Sequence, residues 1–176
     1  MTVEFDEFFM RMALREASRA AEEEEVPLGC VIVAPAVLEP AHDGHPAVYD
    51  PDPSNARVLA RTRNQTEGLA DATAHAEVLA ISAAAQAVGD WRLSGARLYV
   101  TKEPCPMCAG AIVLARLDAV VWGVSDPKRG GATVFNIFAH PGINHHPEIV
   151  TGVLEDESLA VLQAFFRSRR AASSAG

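Results

Sequence analysis

Residues 96–117 read ARLYVTKEPCPMCAGAIVLARL, an apolar strand-length run that gives way to a helical pattern at Pro106, a residue suited to the first helical position. Strand passing into helix recurs along the chain. VPLGCVIVA and ARVLARTRNQ read as strands, and an alanine-rich helix from Thr73 to about Val88 follows, with Thr73 its expected N-cap. DAVVWGV is the next strand and EIVTGVL a short last one. An amphipathic helix over about 4–24 opens the chain, with Phe5, Phe8, Phe9, Met12, Ala13, Ala17 and Ala20 on its apolar face. A second, over 155–170, closes it with Leu159, Leu162, Phe165 and Phe166. This alternation predicts an α/β sandwich around a mixed sheet.

At 176 residues and 49% hydrophobic content, the chain is read as one domain over 1–170, with AASSAG (171–176) as a disordered tail. Residues 35–54 carry five of the eleven prolines and show no period, which predicts a long surface loop inserted between two strands. The acidic run Glu22 to Glu25, before Pro27, reads as a solvated helix end.

Fifteen basic and twenty-three acidic residues give a net charge of −8, so overall charge repels nucleic acid and any such partner needs a local basic patch. The three cysteines are an odd count with two tightly spaced, which argues against a secreted disulfide framework and for a reducing cytoplasm. The acidic amphipathic start is unlike a signal peptide, and no apolar run reaches the roughly 20 residues of a membrane helix, so a soluble protein is expected.

Cys105 and Cys108 fall on one face of a first helical turn, where the helix dipole favours thiolates. By itself the pair fits a redox couple, half of a structural zinc knuckle, or coincidence. His75 adds a third donor at another helix start, and one imidazole with two thiolates leaves a fourth tetrahedral position open, the mark of a catalytic zinc. Zinc lowers the pKa of bound water to about 7, and Glu77, two residues from His75, is placed to move the proton as general base and then general acid. His75-Ala76-Glu77 with Pro104-Cys105-Pro106-Met107-Cys108 matches H-x-E…P-C-x-x-C, the signature of zinc nucleobase deaminases in which the glutamate is not a ligand.

Within that superfamily the chain resembles the bacterial tRNA-specific adenosine deaminases. The resemblance runs through VPLGCVIV, TAHAEVLA, WRLSGARLYVTKEPCPMCAGAIV, VVWGVSDPKRGGA, HPGINHHPEI and the terminal FFRSRR. It implies a cytidine deaminase-like three-layer α/β/α sandwich with a five-stranded mixed sheet, a homodimer, one zinc per subunit, and conversion of adenosine to inosine at the wobble position of a tRNA anticodon stem-loop. It also implies that Asn64 hydrogen-bonds the flipped base, that Asp126 and Lys128 line the anticodon site, and that Phe165, Phe166, Arg167, Arg169 and Arg170 lie near the RNA. The chain departs from that family in its long 35–54 connection and in GLADATAHAE, where a His-Asp-Pro sequence is common.

Two other functions use the same residues. A deaminase of free guanine or cytidine would share the zinc chemistry, and a non-enzymatic zinc module would not need Glu77. His42 and His45 are expected to be solvated, and His140 and His145 to shape a loop.

Overall fold

The computed structural model describes residues 1–43 and 45–174. Helix α1 (Val3–Glu22) is capped by Thr2, whose hydroxyl accepts from Phe5 N. Its buried face is Phe5, Phe9, Met10, Ala13, Ala17 and Ala20, while Phe8 is exposed, so the stripe sits one step round from the expected one. The helix ends with Glu24 at φ 61° and Glu25 N donating to Ala20 O, a left-handed stop that turns the chain inward. Glu25 is consequently 3% exposed, and the solvated helix end expected from the acidic run is not found at that residue.

Strands β1 (Gly29–Ala34), β4 (Arg57–Arg63), β5 (Arg97–Lys102), β6 (Ala119–Val124) and β7 (Glu148–Thr151) form one sheet in the order β4-β1-β5-β6-β7. Strand β1 is antiparallel to both neighbours, and β5, β6 and β7 run parallel. The pleat divides the core. Cys30, Ile32, Leu98, Val100, Val120 and Trp122 pack with helices α2 (Ala76–Val88) and α3 (Pro106–Leu114) on one face. Val31, Val33, Tyr99 and Val121 pack against α1 on the other, where α4 (Glu155–Ser174) also lies over β6. The result is the expected three-layer α/β/α sandwich, and it brings α1 so close to β1 that a Cβ on Gly29 would stand 2.0 Å from Ala13 O.

Helix α4 continues through Ala171 and Ala172 to Ser174, against the expectation of a disordered tail; alanine is the strongest helix former and adds no competing side chain. The rest of that tail, 175–176, lies outside the described residues. The 35–54 insertion is also more ordered than a plain loop. Strands β2 (Val37–Glu39) and β3 (Val48–Tyr49) pair as a small hairpin, with a further bridge between His42 and His45.

Because β4 and β5 both run antiparallel to β1, they run parallel to each other and end at one sheet edge. The segments after β4, β5 and β6, and the segment entering β1, all meet there. The insertion leaves from the opposite edge, where Tyr49 shares a cavity with Arg97, Asp118 and Glu148.

Candidate active site

Two helices start at this edge, and a candidate ligand is the N-cap residue of each: His75 for α2 and Cys105 for α3. Thr73, the expected cap, instead gives its hydroxyl and N–H to the Asp71 carboxylate at 2.7 and 2.8 Å. The cap therefore falls two residues later, and Ala70 at φ 50° with Ala74 N donating to Asp71 O folds the preceding segment into a turn that delivers His75.

The donor atoms converge. His75 Nδ1 lies 3.6 Å from Cys105 Sγ and 3.5 Å from Cys108 Sγ, and the two sulfurs are 3.6 Å apart. Tetrahedral zinc with bonds of about 2.3 Å to sulfur and about 2.0–2.1 Å to nitrogen requires edges of about 3.8 Å and about 3.6 Å. The triangle and its donor types fit zinc. It is the only group of three or more such donors among the described residues.

The electrostatics agree. Contact with Cys108, and with His75, holds the Cys105 thiol down at about 4, while the same contact and burial push Cys108 up. The Cys105 contact in turn raises His75. The protein groups thus favour one thiolate, and a bound cation would stabilise the second. Cys30 differs: it is fully buried in β1, and burial pushes its thiol well up, away from reactivity.

Glu77 follows His75 into the first turn of α2, with 3% exposure and no hydrogen-bond partner for Oε2 among the described residues. Burial raises its carboxyl above the ordinary range, and the Cys105 charge adds to the rise. A buried carboxyl with an unpartnered oxygen beside a metal-fitting donor set is equipped to hold a proton and release it.

Beside this group lies a cavity of about 330 Å³ lined by Asn64, Glu25, Lys102, Arg129, His75 and Phe166 among others. Asn64 is 4% exposed at the end of β4, with its N–H on Leu28 O at 3.0 Å. Phe166 is 44% exposed where it meets the cavity, whereas Phe165 is buried. Asp126, Lys128 and Arg169 stand outside the lining. Asp126 pairs with Lys102 and accepts from the backbone of Lys128 and Arg129, so it shapes the loop from which those two basic side chains project. The Arg169 guanidinium lies 5.6 Å from the centre of the Phe165 ring. His145 and His146 bond the carbonyls of Leu117 and Phe138, the loop-shaping role expected of that stretch.

Two acids that the sequence leaves unremarked organise the edge. Glu103, 4% exposed, accepts from the N–H groups of Asp126, Ala132 and Thr133 and from the Thr133 hydroxyl. A Cβ on Gly130 would stand 2.2 Å from its carboxylate, so the loop closes on Glu103 only with glycine there. Glu25 holds Asn64 and Gly68. A signal for Glu103 is present, since it is a charge set in the apolar stretch before Cys105; nothing in the four-glutamate run singles out Glu25.

A five-stranded sheet whose edge gathers one imidazole, two thiols and a buried carboxyl defines the class of zinc-dependent hydrolytic deaminases. The cytidine and deoxycytidylate deaminase zinc-binding region matches residues 3–124, and the chain belongs to that family. It is 44% identical over 166 residues to a tRNA-specific adenosine deaminase of Bacillus subtilis (strain 168), covering 94% of this chain and 91% of the relative. It is 43% identical over 164 residues to a tRNA-specific adenosine deaminase of Agrobacterium fabrum (strain C58), covering 92% and 94%. A solved structure from work on A-to-I editing by tRNA:A34 deaminases at the wobble position superposes with a TM-score of 0.73 at 41% identity, covering 88% of this chain and 99% of that one.

Proposed function

We propose that the protein hydrolyses adenosine to inosine at the wobble position of a tRNA anticodon. The observation that carries the chemistry is Glu77, buried with an unpartnered oxygen next to the His75, Cys105 and Cys108 donors. The adenosine and tRNA assignment rests on the relatives, which match nearly end to end.

His75, Cys105 and Cys108 would hold the zinc, which when bound supplies Lewis acidity that makes water nucleophilic near neutral pH. Glu77 takes a proton from the attacking water and gives it to the purine ring nitrogen beside C6 as the C6–O bond forms. It then takes the second proton, from the new C6 hydroxyl, and delivers it to the exocyclic amine, so that the C6–N6 bond breaks, the C6 carbonyl forms and ammonia leaves. Asn64 and Phe166 bind the extruded nucleoside within the cavity. Asp126 sets the 125–133 loop, while Lys128 and Arg169 reach phosphates that the net charge of −8 would otherwise repel.

The assembly is a homodimer. Leu114 is 73% and Trp91 55% exposed beside a shallow apolar groove of Ile81, Ala85, Ala111 and Ala115 on the α2–α3 face. Apolar surface of this kind, far more than isolated leucines, marks a protein contact. Three free thiols suit the reducing cytoplasm, and among the described residues no helix is long and apolar enough to cross a membrane.

The test is incubation of the zinc-loaded protein with adenine-wobble tRNA, free guanine and free cytidine, with inosine and ammonia as readouts. Inosine in tRNA alone is expected. Ammonia from guanine or cytidine but not tRNA would overturn the substrate, and no product from any would overturn the enzymatic reading.

A further inference from the structure

Asn64 carries a primary amide, and its use in the cavity depends on which end faces the ligand. The nitrogen end is already engaged. Nδ2 donates to Glu25 Oε2 and to Thr66 Oγ1, both at 3.0 Å, which uses both of its protons. Oδ1 has no partner among the described residues, and Asn64 lines the cavity. The other oxygen of Glu25 is fixed too, because Gly68 N–H donates to Oε1 at 2.8 Å. A carboxylate only accepts, so the amide nitrogen must turn to Glu25 and the amide oxygen must turn away.

We propose that Glu25 is a positioning residue that sets the polarity of Asn64, so that the Asn64 amide offers the nucleoside a fixed acceptor and not a donor. The donors an adenosine carries are its exocyclic amine and its ribose hydroxyls, and a fixed acceptor selects for these. The proposal rests on the reading that substrate occupies this cavity.

The geometry dictates what a near-isosteric change does. In Glu25→Gln, Gly68 N–H still requires an acceptor, so the new side chain keeps its oxygen there and turns its NH₂ toward residue 64. Asn64 must then reverse, presenting NH₂ to the cavity. In Asn64→Asp, two carboxylates face one another. Combining the changes repairs both faults: the introduced glutamine donates to the introduced aspartate, and an oxygen acceptor again faces the ligand.

The experiment measures kcat/KM for an adenine-wobble stem-loop RNA with wild type, Glu25→Gln, Asn64→Asp, Asn64→Ala and the double variant Glu25→Gln/Asn64→Asp. Rates are normalised to the folded, zinc-loaded fraction. Each single variant is expected to fall about 100-fold, and the double variant to return to within about tenfold of wild type. A Glu25→Gln enzyme with wild-type kcat/KM, or a double variant no better than its worse parent, overturns the proposal. Exchange of the Asn64 side-chain amide protons, followed by NMR, is an arm that needs no substrate. It is expected to be slow in wild type and fast in Glu25→Gln; unchanged exchange overturns the assigned polarity. Inactive wild-type protein with the expected exchange pattern would count against the tRNA reading alone, and active Asn64→Ala would count against the role of Asn64 in binding.

Discussion

His75 and Cys105 occupy the same position in two different helices, the N-cap, and their donor atoms meet 3.6 Å apart. Neither side chain caps its own helix, so each is free to serve a ligand. Cys108, one turn into α3, closes the triangle.

That placement separates metal binding from helix formation. Serine is among the best N-cap residues, so Cys105→Ser should keep α3 while zinc falls well below one per chain by metal analysis, with activity lost. Glu77→Gln should keep zinc at about one per chain and lower kcat by about 10²–10⁴-fold. Loss of zinc in the glutamine variant would refute the separation of roles.

Gly29 is required by the approach of α1 to β1, where an added Cβ would meet Ala13 O at 2.0 Å and Ala17 N at 2.6 Å. Both atoms are helix backbone and cannot step aside singly. Gly29→Ala should destabilise by about 1–3 kcal/mol, as overpacking does, seen as a lower urea midpoint at unchanged m-value.

Tyr99 sets an alkaline limit. Its hydroxyl donates to Asp6 at 2.7 Å beneath α1, and burial, followed by the Asp6 charge, raises its pKa far above the ordinary phenol value. A folded pKa above the unfolded value means that this contribution is complete below about pH 10 and lost as pH climbs from there toward the folded value. Phenolate absorbance from Tyr99 should therefore appear only with unfolding. In Tyr99→Phe, stability should fall less steeply above about pH 10, despite a lower starting value from the lost hydrogen bond.

Leu114, 73% exposed on the apolar α2–α3 face, tests the assembly. Leu114→Lys should shift the sedimenting species from dimer to monomer, since a desolvated lysine has no acidic partner in the groove described. A wild-type monomer at micromolar concentration would remove the dimer from the proposal.

The 35–54 insertion leaves from the sheet edge opposite the zinc-fitting donors, and its cavity is built with Arg97, Asp118 and Glu148. Replacing Pro40 to Pro53 by a short turn should leave deamination within a few-fold. Complete inactivation of a folded, zinc-loaded variant would show that the insertion reaches the reaction.

Much of this is legible in the chain. The strand-to-helix transitions define the class of fold, because period 2 and period 3.6 bury different faces and cannot be exchanged locally. The pairing of His-x-Glu with Pro-Cys-x-x-Cys points to three donors and a proton carrier, since each residue type brings its own chemistry wherever it sits. Capping preference puts the N-cap of α2 two residues early, because Asp71 outcompetes the helix for the Thr73 hydroxyl, a local contest that propensity does not rank. Composition likewise reads the tail as disordered, although its alanines extend α4.

Sequence alone therefore determined the donors and the order of strands and helices, which depend on residue type and short-range spacing. Tertiary structure decided what distance along the chain conceals. Antiparallel pairing on both sides of β1 sends β4 and β5 to one edge, which brings His75 to Cys105 across thirty residues. The left-handed turn at Glu24 carries one glutamate of an acidic run inward, where Gly68 and Asn64 supply the hydrogen bonds its burial demands. Three of the four glutamates remain partly or fully exposed, and only the fold distinguishes the fourth.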